Sequence, residues 1–325
     1  MIRALLDFCR KADRTIYIQT HNFPDHDAVA SAAALQYLLG SAGVPSRILY
    51  DGEIQRDSLK AMVQALEIQI DHHSRHHLSA KDCIIIVDGC KGNKNVTDLP
   101  GTEIAVLDHH RVTSPEDVTF QDIRPELGAC STLIFLYLQE LGIPISTNIA
   151  TALMIGINMD TAQLTREVSE ADINAHSSLF HLANDRLVNS ILRNYIQVKD
   201  LAFYRQAIDN LHISRTMGFC YFPEGCNQNL LGILGDFFLA LQELDFVVLC
   251  ARNNDRINVS LRNENPAWNA AEVIRRALSG IGFGGGHKDM AGGIIPDCSG
   301  MDREALLTLF RDALYGPQAG ASPTP

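Results

Sequence analysis

No apolar run in this 325-residue chain approaches the ~18 residues that a helical membrane span requires, so no membrane association is expected. Residues 1–10 set Arg3, Asp7 and Arg10 among apolar positions, which reads as an amphipathic helix and not as a signal peptide. Basic blocks are missing too: 27 Lys and Arg stand against 38 Asp and Glu, a net charge of −11. Long nucleic acid is bound by neutralising many phosphates, so a long duplex is a poor partner. A few bound divalent cations still suffice to make one pocket positive within an acidic protein. None of the eight cysteines, at positions 9, 83, 90, 130, 220, 226, 250 and 298, forms a CxxC pair. They read as reduced, buried thiols of a cytoplasmic protein. Aromatic residues make up only 7%, and no internal repeat is present.

What is present is a globular composition, 46% hydrophobic and 20% charged, with enough apolar content for more than one core. In the first half, strands alternate with helices. β-rich runs at 15–20 and 47–50 flank an alanine-rich helix at 27–39. Residues 83–87 and 103–107 are near-continuous apolar strands, the kind buried on both faces of a parallel sheet. Helical runs follow at 130–141 and 147–158. This pattern predicts an α/β fold, a doubly wound and mainly parallel sheet over residues 1–185. Residues 186–212 carry Leu187, Ile191, Tyr195, Val198 and Leu201 at helical spacing and read as a helical connector. A smaller α+β domain is expected over 213–315, with a hairpin around Arg252–Arg256, a helix at 268–278, a glycine run at 284–286 and a closing helix at 302–314. The polar, proline-rich segment 316–325 reads as a disordered tail.

Acidic and histidine side chains collect where apolar strands end. His21, Asp25 and Asp27 follow the first strand, Asp88 follows the 83–87 strand, and Asp108, His109 and His110 follow the 103–107 strand. Asp160 ends an apolar helical run. A lone aspartate after a strand is most often a cap or turn residue. Such a set behind neighbouring strands is a different matter, because open α/β sheets place ligand sites beyond their strands' carboxyl ends. Mixed carboxylates and imidazoles suit manganese, iron or zinc, and a carboxylate shared by two ions suits phosphoryl chemistry. A second Asp-His-His triplet, Asp71, His72 and His73, follows a weakly alternating segment and reads as a solvated stretch. His26 is expected to point away from the aspartates on either side of it.

Taken together, these motifs resemble the DHH phosphoesterase superfamily, and within it the two-domain group with a DHHA1 domain that includes oligoribonucleases (nanoRNases) and 3′-phosphoadenosine-5′-phosphate phosphatases. The resemblance spans nearly the whole chain. It implies two divalent ions, manganese foremost: one on His21, Asp25 and Asp88, the other on Asp27, Asp88, His109 and Asp160. Asp108 would act as a catalytic support that fixes His109, and His110 would face the substrate phosphate. In the second domain, Gly284, Gly285, Gly286 and His287 match a glycine-rich substrate loop, and Arg262 matches a substrate-contacting arginine. Three departures bear on the substrate: His26 between the two aspartates, Ala162 and Leu164 after Asp160, and Phe283 breaking the glycine run.

The expected activity is hydrolysis of short RNA or DNA oligonucleotides, linear dinucleotides or nucleoside bisphosphates in a cleft between the domains, by a metal-dependent, exonuclease-like hydrolase. The alternatives are a catalytically silent nucleotide-binding or sensory protein, and an inorganic pyrophosphatase. The sequence leaves a homodimer open.

Overall fold

The computed structural model describes residues 1–12, 14–113, 115–193 and 196–316. Most of the tail read at 316–325 therefore lies outside the described residues. The chain divides into two compact units, Met1–Tyr195 and Ile196–Pro325.

The first unit holds helices α1 (Ile2–Lys11), α2 (His26–Ser41), α3 (Asp57–Ala65), α4 (Cys130–Leu141), α5 (Thr147–Asp160), α6 (Glu170–Phe180) and α7 (Asp185–Arg193). Its strands are β1 (Ile16–Gln19), β2 (Ser46–Tyr50), β3 (Ile70–His72), β4 (Cys83–Val87), β5 (Thr102–Asp108) and β6 (Phe120–Ile123). They form one sheet in the order β3-β2-β1-β4-β5-β6, and every pairing is parallel. The α/β reading of this half holds. All five residues of β4 are buried, because alternate side chains serve opposite faces. Ile85 and Val87 join the main core with Ile18, Leu107 and the helices, while Ile84 and Ile86 join Leu49, Val106, Leu99 and Val118 on the other face.

Helix α2 is buried along most of its length, from His26 to Leu35 without a break. Its alanines permit close approach by α5. At Gly156 of α5, an added Cβ would collide with the Ser131 hydroxyl and lie 2.8 Å from Asp27 Oδ1. That glycine is what lets the helices meet.

The second unit contains α8 (Leu201–Asn210), β7 (His212–Ser214), β8 (Met217–Phe222), α9 (Gln228–Leu239), β9 (Phe246–Asn253), β10 (Arg256–Asn263), α10 (Ala270–Ala277), β11 (Phe283–Gly286), β12 (Met290–Ile295) and α11 (Arg303–Tyr315). Its sheet runs β11-β12-β10-β9-β8-β7 and is mixed, with β8 and β9 parallel and the other pairs antiparallel. The two halves of the segment read as a connector belong to different cores: Val188 and Ile191 of α7 to the first, Ala207 of α8 to the second.

One expectation needs correction here. Gly284–Gly286 is not a loop but part of β11, an edge strand paired with β12. Its glycines are closely packed on two sides: a Cβ at Gly284 would lie 2.8 Å from Ile274 of α10, and one at Gly286 would meet the Met290 carbonyl of β12. Gly285 alone of the three faces open space. Among the described residues, no helix is long and apolar enough to cross a membrane.

Candidate metal centre

The first sheet reverses its strand order between β1 and β4, the position where open α/β sheets form a crevice at their carboxyl ends. β1 leads into His21, and Asp25 caps α2, its Oδ1 accepting from the N–H groups of Asp27 and Ala28 at 3.0 and 3.1 Å. Asp88 follows β4 directly in a left-handed backbone conformation, φ 56°. Its own N–H donates to the Leu107 carbonyl at 2.9 Å, which ties it to β5. Asp108 is the last residue of β5, and Asp160 is the last of α5.

These elements bring all six residues expected as ligands together. His21 Nε2 lies 3.9 Å from Asp25 Oδ1 and 3.8 Å from Asp88 Oδ2. His109 Nε2 lies 3.4 Å from Asp88 Oδ1, 3.2 Å from Asp160 Oδ2 and 4.0 Å from Asp27 Oδ2. Asp88 thus turns one carboxylate oxygen to each histidine. Donor atoms spaced this way suit ions held at about 2.0–2.2 Å, since two ligands of one ion sit about 3–4 Å apart. Within each of the sets His21/Asp25/Asp88 and Asp27/His109/Asp160, the donor atoms lie within 4.8 Å of one another.

Two further observations fit a cation. Asp88 Oδ1 and His109 Nε2 are buried with no hydrogen-bond partner, a costly arrangement that an ion between them would relieve. Their electrostatics also lack positive charge. Burial, then the charges of Asp88 and Asp160, push Asp27 well above the usual carboxylate range. Burial and Asp25 push Asp160 up as well, against the pull of His109. Burial opposes a charge on His21, but the neighbouring carboxylates of Asp25 and Asp88 favour its proton and raise it to about 10. In the same way Asp160 and Asp88 overcome burial and raise His109 well above its ordinary value. The donor set therefore supports divalent metal binding.

The role expected for Asp108 shifts by one residue. Its Oδ1 accepts from His110 Nδ1 at 2.8 Å and from the N–H groups of His109 and His110 at 2.8 and 3.2 Å. It therefore braces the His110 ring and not that of His109, whose Nδ1 instead faces the Leu127 carbonyl at 3.2 Å. The chain turns sharply after β5, so the carboxylate folds back under the second histidine. His26 turns away as expected, its Nε2 meeting Ser58 Oγ at 3.0 Å on α3.

Sequence reasoning overlooked three supports. Asp27 caps α4, accepting from the N–H groups of Cys130 at 2.6 Å and Ser131 at 2.9 Å; the helix N-terminus holds this carboxylate in place. Arg166 donates to the Asp160 carbonyl at 2.9 Å. Asn22, next to His21, exchanges hydrogen bonds with Thr97, whose hydroxyl also donates to Asp51. Asp51 follows β2 just as Asp88 follows β4, and that parallel was legible. The Asp71–His73 stretch, read as solvated, instead runs along β3 and just past its end, with His72 and His73 part-buried and facing Asp51.

Arg262, Gly284, Gly285, Gly286 and His287 belong to the second unit. Arg262 Nε donates to Asp236 Oδ1 at 2.5 Å, and its Nη1 to the Leu261 carbonyl and Ser260 Oγ at 3.0 and 3.2 Å. Gly232 of α9 makes room for it, since a Cβ there would lie 2.7 Å from Nη2.

Residues 15–157 match the model of the DHH family's N-terminal domain, and residues 210–315 match that of the DHHA1 domain. An uncharacterized protein of Methanocaldococcus jannaschii is 31% identical over 94% of the chain, which spans 65% of that relative's length. The cyclic-di-AMP phosphodiesterase PdeA of Listeria monocytogenes is 23% identical over 96% of the chain, which spans 49% of its length. The crystal structure of an exopolyphosphatase-related protein from Bacteroides fragilis superposes with a TM-score of 0.77 at 19% identity, covering 96% of each chain.

Proposed function

Because this chain belongs to the DHH superfamily and carries a DHHA1 domain, we propose that it is a two-metal phosphoesterase acting on short oligonucleotides, linear dinucleotides or nucleoside bisphosphates. The observation that carries this reading is Asp88, with one oxygen toward His21 and the other toward His109. A metal-dependent hydrolase is the activity class that the family supports. The likeness to a cyclic-di-AMP phosphodiesterase of Listeria monocytogenes supports nucleotide phosphodiesters as the substrate class.

In this reading His21, Asp25 and Asp88 hold one ion, and Asp27, Asp88, His109 and Asp160 hold the other, with manganese suited to the mixed oxygen and nitrogen donors. Bound there, the ions supply activated water and neutralise charge on the phosphoryl group. Asp108 keeps His110 oriented toward the substrate phosphate, and the N-terminus of α4 keeps Asp27 in place. Arg262, Gly284–Gly286 and His287 are the proposed substrate contacts, with Asp236 fixing the guanidinium plane. Eight buried cysteines without disulfides fit the reducing cytoplasm, the proposed location.

A panel of two-, five- and twenty-nucleotide RNAs assayed with Mn2+ tests the substrate class. The shortest are expected to be cleaved fastest. Replacing Arg262 with Gln should lower kcat/KM on dinucleotides by about ten- to a hundredfold, the worth of a charged hydrogen bond. Cleavage of bis-p-nitrophenyl phosphate, which offers the second domain little to hold, should fall far less. Equal rates on all lengths, with no selective loss in Arg262→Gln, would refute this assignment.

A second test follows from the sign of the His21 shift. Its ordinary value of 6.5 rises to about 10 in the metal-free chain. The stability this contributes is complete below pH 6.5 and is lost as pH rises through about 10. At pH 8 the ring therefore still carries a proton, which an incoming ion must expel. Calorimetric titration of metal-free protein with Mn2+ at pH 8, in buffers of different ionisation enthalpy, should show proton release and an affinity that climbs with pH. Uptake without release would contradict a protonated His21.

A further inference from the structure

We propose that Asp51, His72 and His73 form an additional divalent-cation site, distinct from the donors around Asp88. β2 and β3 are neighbouring parallel strands with Tyr50 opposite His72. The residues that follow the pair, Asp51 and His73, therefore emerge side by side at the carboxyl edge of the sheet. His72 Nε2 lies 3.4 Å and His73 Nε2 3.3 Å from the same atom, Asp51 Oδ1. One donor atom from each of the three residues falls within 4.8 Å of the others.

Hydrogen bonding alone explains this convergence poorly. Asp51 Oδ1 already accepts the Gly52 N–H at 2.7 Å, and separations of 3.3–3.4 Å are long for two further ring N–H donors. A cation among the three atoms serves them all at once. The surroundings orient the donors accordingly. His72 Nδ1 accepts the Ser74 N–H at 3.2 Å and lies 2.7 Å from the Ser74 hydroxyl, and these contacts hold the ring with Nε2 toward Asp51. Tyr50 packs its ring edgewise on His72, centroids 5.4 Å apart at 89°. Thr97 hydrogen-bonds the other oxygen of Asp51.

Two imidazoles and one carboxylate select a first-row transition ion such as Mn2+, Fe2+, Co2+ or Zn2+ over Mg2+ or Ca2+. The three side chains are 27–30% exposed, so coordination positions remain open to water or to a phosphate oxygen. Asp51 is joined through Thr97 to Asn22, the residue after His21, which ties this site to the segment carrying the first of the Asp88-centred donors.

Cobalt is the probe. Metal-free full-length protein is equilibrated with Co2+, and bound metal per chain is measured by elemental analysis after dialysis. His73→Gln and Asp51→Asn should each hold one equivalent fewer than the unaltered chain, while Asp88→Asn should retain that equivalent. An anomalous difference map from cobalt-loaded crystals of the unaltered chain should show a peak among Asp51, His72 and His73, and it needs no variant to fold. A map without that peak, or a folded His73→Gln chain that binds as much cobalt as the unaltered one, would overturn the site.

Discussion

Replacing Asp88 with asparagine should cut turnover by about a thousandfold or more while the chain keeps its fold. Asparagine has the same outline, and it tolerates the left-handed conformation at φ 56° better than alanine would. It offers one acceptor oxygen where aspartate offers two, so it can serve the His21 side or the His109 side but not both. The metal-free variant should still fold, because it loses the repulsion between Asp88 and Asp27 together with the attraction of Asp88 to His21 and His109. Turnover on short oligonucleotides with Mn2+, measured beside thermal melting, decides the matter. Near-normal turnover in a well-folded Asp88→Asn chain would sink the shared-carboxylate reading.

The second large effect is expected from Gly156→Ala, a change that helix propensity alone would favour by about 1 kcal/mol. Packing opposes it. The new methyl would meet the Ser131 hydroxyl and Asp27 Oδ1, and the carboxylate is held in place. Asp27 is held by the N–H groups of Cys130 and Ser131, and Ser131 sits in the first turn of α4. Overpacking of this kind costs about 1–3 kcal/mol and occasionally more, so the net change should be destabilising. Because the methyl pushes on Asp27, metal affinity should fall as well. Gly40→Ala in α2 is the control: its Cβ meets nothing within 4 Å, so propensity acts unopposed there. Urea denaturation of both variants tests the argument, and equal stabilisation by the two would contradict it.

Long elements and residues adjoining them were the readable ones. The apolar strands β4 and β5 announced themselves as runs buried on both faces, and α2 by its alanines. Asp88 and Asp108 could be placed because each directly follows or ends such a strand. β3 carries only Ile70, Asp71 and His72, too few residues to show a period, so the histidines at its end passed for solvated ones. β8 and α9 lie in a stretch whose apolar residues mix strand and helix spacings. The glycines of β11 read as a loop because their close packing against α10 and β12 resides in residues such as Ile274 that spacing does not reveal. Which histidine Asp108 holds depends on a turn of two residues, and local pattern carries no record of it.

The short strands carry a further consequence. One sheet ends on β3 and β6, of three and four residues, and the other on β7 and β11, also of three and four. An outer strand is a row of unpaired N–H and C=O groups on which a foreign strand can assemble, and its danger grows with length. Edges of one turn's worth of residues offer an intruding chain only two or three hydrogen bonds, fewer than the entropy of docking demands. Both sheets thus stay open without inviting aggregation from their sides.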